Sequence, residues 1–346
     1  MAARMSQQRG VSRTCLATIF GVASIAIFTG FSSNAGSTAT CNLYASTVGQ
    51  DTNPGSQVAP FRSAQRLVNS LSAGMTGCLR AGTFSGDVKI SKSGQAGSPI
   101  TVRSFPGERA SVVGRLWVAS TADHVVISDL LLNGKNSAHL PSPTINAYDV
   151  TFSGNEVTNE HTGICFVVGS TYGRADRALI SGNRIHDCGR LPSTNKDHGI
   201  YVGASTGSQI VGNQIYNNAD RGIQLYPDAQ RTLIRYNIID RNGEGIIFSG
   251  DFGLTSSDNT VEYNTITNSK IRYNVESYYP AGNPIGRNNV VRYNCIGGGA
   301  RAYQNGGIET PTVGFVTNTN QVLGRRSTAR IRQGCTATAR HRSPSG

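Results

Sequence analysis

A chain of 346 residues with 15% charged positions, 41 glycines and a formal charge of +12 suggests a polyanion binder until the charges are located. Arg4, Arg9 and Arg13 lie before residue 40, and Arg325, Arg326, Arg330, Arg332, Arg340 and Arg342 lie in an acid-free tail. Residues 41–324 then carry 23 basic against 20 acidic side chains, about +3, which excludes a nucleic-acid partner as the organising function.

In chain order, the three leading arginines precede an apolar run from Leu16 to Phe31 and the small residues SSNAGSTA. That is the order of a secretory signal peptide, expected over 1–39, and the run is short for a membrane span. No membrane contact is expected after its cleavage. Six cysteines follow: Cys41, Cys78, Cys165, Cys188, Cys295 and Cys335. An even number outside the cell suggests disulfides, and pairing of sequence neighbours is expected, although fifteen connectivities are open. Next, FRSAQRLVNSLSAG spaces Ala64, Leu67, Val68 and Leu71 at helical intervals and ends at Gly74. It predicts an amphipathic helix over about 62–72 lying across the first coil, flanked by the strands NLYAST and GCLRAGTF. From 85 to 150, runs such as ITVRSF and VVISDLLL read as early, less regular strands.

Beyond Val125 one phrase returns every 24 to 30 residues: FSGNEV, ISGNRI, IVGNQI, IRYNII, VEYNTI and VRYNCI. Fixed-period self-similarity with two-residue alternation and Asn/Gly/Asp turns describes a solenoid of short strands, an all-β single-stranded parallel β-helix over 40–324. Stacked coils bring equivalent residues to about 4.8 Å. Asn155, Asn183, Asn213, Asn237, Asn264 and Asn294 are therefore expected to form a structural ladder, each amide bonding its neighbours at a left-handed corner. The tail, 325–346, reads as a flexible basic end.

The opening LYASTVGQDTNPGSQVAPFRSAQRLVNSLSAGMTGCLRAGTF, with the repeats behind it, resembles the secreted pectate-lyase-like, right-handed β-helix superfamily over about 41–320. The resemblance implies a right-handed solenoid with an N-terminal capping helix. It does not choose a reaction, since the superfamily includes polysaccharide lyases, polygalacturonase-type hydrolases, uronan epimerases, phage tailspikes and members with no known activity.

A second phrase, glycine followed by alternating apolar residues, aligns Gly163, Gly199, Gly222, Gly245 and Gly307. The isoleucine after each glycine is expected to point inward, sending the residues two before, at, two after and four after the glycine outward. Asp197 and Asp220 then stack one coil apart, His198, Arg221 and Glu244 form a second column, and Tyr201, Gln224 and Tyr226 make a floor, with His161 in the aspartate column. Lys196 precedes this cluster, and Asp251 sits in a polar insertion at its far edge. Such a face is a carbohydrate-sized groove for an extracellular polysaccharide.

Two chemistries fit it. In a uronic-acid lyase, Lys196 or His198 is the base, Arg221 meets the substrate carboxylate, and Asp197 with Asp220 are candidate Ca2+ ligands; no organic cofactor is implied. In a glycosidase, Asp197, Asp220 and Glu244 supply the two carboxyl groups. His161, Tyr201, Gln224, Tyr226 and Asp251 are candidate substrate contacts. DHG at 197–199 resembles the GHG segment of polygalacturonases, but their paired-aspartate segments have no match, and epimerase and main pectate-lyase motifs are absent. The reading is a secreted polysaccharide lyase first and a hydrolase second. A non-catalytic glycan-binding or cell-surface protein is the rival of another class. The polymer and the oligomeric state are not legible.

Overall fold

The computed structural model describes residues 40–324. The leader, the basic tail and Cys335 lie outside the described residues, so the signal peptide, the tail and a Cys295–Cys335 bridge are not addressed by it. Among the described residues no helix is long and apolar enough to cross a membrane.

Strand, corner, strand, corner, strand and return make one coil, and successive coils stack in parallel. The result is three long sheets: sheet 1 has eleven strands, from Leu43–Ala45 to Phe315–Val316. Sheet 2 has ten, from Gly82–Ser85 to Gln321–Val322, and sheet 3 has nine on its main path, from Val88–Ile90 to Ile308–Glu309, with a tenth, Leu254–Thr255, paired off it. The interior follows from two-residue alternation plus exact stacking. On sheet 1, Phe152, Ile180, Ile210, Ile234, Val261 and Val291 are partners in register and all are buried. On sheet 2, Val157, Ile185, Ile215, Ile239, Ile266 and Ile296 do the same. Each such side chain removed from water contributes about 1.5–3 kcal/mol.

The expected helix forms over Ala64–Ser70, with Ser63 as N-cap accepting from the Arg66 amide. Its buried face, Ala64, Leu67 and Val68, packs on the first strands of sheets 1 and 3, Leu43–Ala45 and Thr76–Leu79 in the one and Val88–Ile90 in the other. It stops at Ser70 rather than at Gly74, because Leu71 is already extended and buried in the core. Cys41–Cys78 and Cys165–Cys188 are disulfides, as the neighbour pairing anticipated.

The asparagines stack at the corner between sheets 1 and 2. Each main-chain N–H from Asn155 to Asn294 donates to the Oδ1 of the next asparagine at 2.9–3.1 Å, and Asn320 extends the ladder by one rung. The left-handed residue is not the asparagine, however, but the one before it. Gly154, Gly182 and Gly212 have φ of 64–68°, and Tyr236, Tyr263 and Tyr293 occupy the same position at 56–58°. The tyrosine rings stack at 5.5 and 5.2 Å, with Arg235 lying over two of them and Arg292 over the third. Two shorter asparagine ladders, Asn218 to Asn242 and Asn259 to Asn289, hold the other corners.

Candidate functional site

Sheet 3 carries the less repetitive outer face. Ile200, Ile223, Ile246 and Val275 stack inward and are buried, so the alternation expected after the glycine holds for these coils. Two register expectations fail. Phe166, not Ile164, stands opposite Ile200, so His161 is not in the aspartate column; it sits at a left-handed turn and bonds the Gly189 carbonyl through Nδ1 at 2.9 Å. Between Gly245 and Gly307 lies an unrecognised coil, Val275–Tyr278, entered through Asn274 instead of a glycine. The outward column therefore runs Lys89, Trp117, Thr144, Val167, Tyr201, Gln224, Ile247, Glu276, Glu309.

Asp197, Asp220, His198, Arg221 and Glu244 are brought together, and all are buried rather than presented to solvent. The reason is the loop 189–196, which folds back over them. Asp220 accepts the main-chain N–H groups of Lys196 and Asp197, each at 2.7 Å, and the hydroxyls of Ser193 and Thr194. Asp197 holds the Arg190 side chain through Nε at 2.5 Å. Arg221 donates to the Asn195 carbonyl at 2.7 Å and to its side-chain oxygen, and pairs with Glu244 at 3.2 Å. These carboxylates are occupied by hydrogen donors, not arrayed as oxygen ligands around an empty centre. Among the described residues no group of three or more His, Cys, Asp or Glu side chains converges as a metal site. The donor set of Asp197 and Asp220 thus does not fit Ca2+, and no chemical step is derived through one.

What the cluster does is anchor a wall. The loop it pins leaves Lys196 exposed at the surface and Arg190 partly so. Beneath it His198 is fully buried with Nδ1 lacking a partner, its ring parallel to Tyr201 at 5.9 Å. Burial, reinforced by Arg221 and only partly offset by Asp197, holds its pKa well below the usual imidazole value, so it is neutral and shielded. Tyr201 and Tyr226 meet edge to face at 6.1 Å, and the Tyr226 hydroxyl donates to Asp251 at 3.2 Å. The insertion carrying Asp251 is a small antiparallel hairpin, Glu244–Asp251 with Leu254–Thr255. Gln224 stands between Tyr201 and Ile247 in the column and is nearly buried.

The missed coil adds the group with the most displaced acidity. Glu276 is 2% exposed, and its Oε2 is buried with no hydrogen-bond partner. Burial first and the neighbouring Glu244 second push its carboxyl up to about 7, against the opposing pull of Arg272. Arg272 bridges Glu244, at 3.5 Å, and Glu276, while its own side chain is 39% exposed. Arg221, Glu244, Arg272 and Glu276 therefore form one alternating chain of charge, buried at one end and open to solvent at the guanidinium of Arg272. The sequence signal for Glu276 was the doubled interval between Gly245 and Gly307, which must contain a further coil.

With this geometry in hand, relatives can be weighed. Pectate lyase PEL9 of Emericella nidulans is 26% identical over 208 residues, 54% of this chain and 49% of that protein, so the chain spans about half the length of this curated relative. Two solved structures share the fold: XylC in complex with xylose, with TM-score 0.57 and 12% identity over 74% of this chain and 69% of that one, and pectate lyase Pel9A, with TM-score 0.55 and 15% identity over 83% and 78%. The right handed beta helix region, as a family model, matches residues 144–319. That stretch holds both the asparagine ladder and the wall over sheet 3, and by it the chain belongs to the right-handed β-helix family.

Proposed function

We propose that this chain is a polysaccharide-active protein that cleaves a uronic-acid-containing polymer by β-elimination along the outer face of sheet 3. The observation that carries the reading is Glu276, a buried carboxyl poised near neutrality with one unpartnered oxygen, beside a part-exposed guanidinium. A base with pKa near the working pH is what proton abstraction needs. When Arg272 turns to the uronate carboxylate, Glu276 loses its cover and its counter-charge together. It then takes the proton from the carbon beside that carboxylate; the electron pair forms the ring double bond as the glycosidic C–O bond breaks, the departing oxygen takes a proton from water, and Glu276 returns its own to water before the next turnover. Arg272 neutralises the charge that builds on the carboxylate. Lys196 and Arg190, on the pinned wall, face neighbouring acidic units, and Tyr201 and Tyr226 give sugar rings an apolar surface. Kinship with a named pectate lyase supports the substrate class. Two disulfides support an oxidising, extracellular setting.

The test is purified protein on a panel of uronate polymers, following the ultraviolet absorbance of an unsaturated product. The absorbance should rise with kcat/KM increasing as pH passes about 7, and Glu276→Gln should remove it. New reducing ends without absorbance would make the protein a hydrolase, and binding without either would make it a glycan-binding module. A loss of kcat, rather than a rise in KM, in Lys196→Ala would move the base to Lys196.

A further inference from the structure

The same outward column continues toward the N-terminus, away from the acids, and its character inverts. Trp117 stands there with Lys89 in register beside it. The Lys89 Nζ lies 4.6 Å and the Arg115 guanidinium carbon 5.1 Å from the indole centroid. Neither cation has an ion-pair partner among the described residues: Asp87 accepts from the Arg115 main-chain N–H, at 2.8 Å, not from its guanidinium, whose Nε is buried without a partner. The indole itself is fixed. Its Nε1 donates to Asn146 at 2.9 Å, and the same buried asparagine donates to Ser170 Oγ and the Gly173 carbonyl at 2.8 Å. Those bonds hold the turn that carries Tyr172, 69% exposed and edge-on to the indole at 6.1 Å. An immobilised aromatic pair with two unneutralised cations is a site lacking one component, an anion attached to a flat apolar body.

We infer that Trp117, Lys89 and Arg115 form a second subsite that takes a carboxylate-bearing sugar unit of the polymer, remote from the bond that is cleaved. The inference rests on the proposal that the polymer runs along the outer face of sheet 3, and adds where its uncleaved portion is held. Trp117 and Tyr201 are three coils apart, about 14 Å along the axis. The sugar ring lies on the exposed face of Tyr172 beside the indole, and Lys89 and Arg115, held over that indole, take its carboxylate.

Trp117 is the chain's single tryptophan, so its fluorescence reports this subsite alone. In stopped flow, before turnover, galacturonate oligomers should change the emission saturably, the affinity should fall with added salt, and Lys89→Ala should weaken it about tenfold. Lys89 is exposed, so its removal leaves the fold in place. Cello-oligosaccharides, the uncharged probe, should give little change; an equal response to them would overturn the carboxylate assignment. Oligomers that are cleaved but leave the emission unmoved would overturn the subsite while sparing the lyase reading. An emission change without cleavage of any uronate polymer would keep the subsite and reject the lyase. Neither response nor cleavage would reject both.

Discussion

The asparagine corner and the wall over sheet 3 are both buried polar networks, yet they are built on opposite rules. At the corner one residue type recurs in each coil, and every rung makes the same bonds to the coils above and below. Over sheet 3, Asp197, Asp220, Arg221, Glu244, Arg272 and Glu276 make no bond that recurs from coil to coil, and most of their partners sit on one loop or one neighbouring coil. Repetition marks what holds the solenoid; its interruption marks where the molecule is specialised. The second kind of network is costlier to disturb where both partners of a buried charge pair sit on the strands, as Arg221 and Glu244 do.

That contrast can be broken most forcefully at Arg221. Removing a buried cation leaves Glu244 with only the longer, part-exposed Arg272 contact and releases Asn195, so Arg221→Ala should cost about 3 kcal/mol in urea unfolding, besides activity. This revises the expectation, drawn from strand alternation, that the cluster is presented outward. The next effect is a pH dependence. Glu276 is raised in the fold to about 7 from an ordinary carboxyl value of 4.5. The folded state therefore holds a proton that the unfolded state has released, and stability should fall as pH rises from about 4.5 to about 7 and then level. The total change is on the order of 3 kcal/mol, and Glu276→Gln should flatten that part of the curve. Asn213→Ala, in the regular ladder, should cost about 2–3 kcal/mol by stranding the Asn183 amide and the Ile180 carbonyl. Smallest in global stability is Asp220→Asn, about 1 kcal/mol, because the loop can open alone. Its mark should be faster tryptic cleavage after Arg190 or Lys196; equal cleavage of wild type and variant would mean that Asp220 does not hold the wall.

The solenoid was legible because its determinants repeat. An omitted rung, such as Asn320, leaves the ladder recognisable from its neighbours, and the aliphatic columns tolerate Ile, Val or Phe alike. Even there the reason given for the asparagines was half right, since the left-handed backbone belongs to the residue before them. The site was legible only as a neighbourhood. The cluster at 196–198, 220–221 and 244 does assemble, but alternation says only which side a residue faces, not whether a loop lies on top of it. Covering by 189–196 turned expected reactive groups into supports. A two-residue slip at Phe166 displaced His161, and a coil opening on Asn274 where glycine was sought hid Glu276. Register errors of this kind leave the fold unaffected and move individual side chains to the wrong coil.

The three tyrosines at the ladder's edge have one more implication. Each occupies backbone that costs an ordinary L residue about 1–2 kcal/mol and glycine almost nothing. What returns that cost is shared, since the middle ring stacks on both others and Arg235 and Arg292 meet at Glu262. One coil cannot peel away at this seam without parting contacts that belong to the next. Fraying from the C-terminal side should therefore halt here, with three coils opening as a single unit.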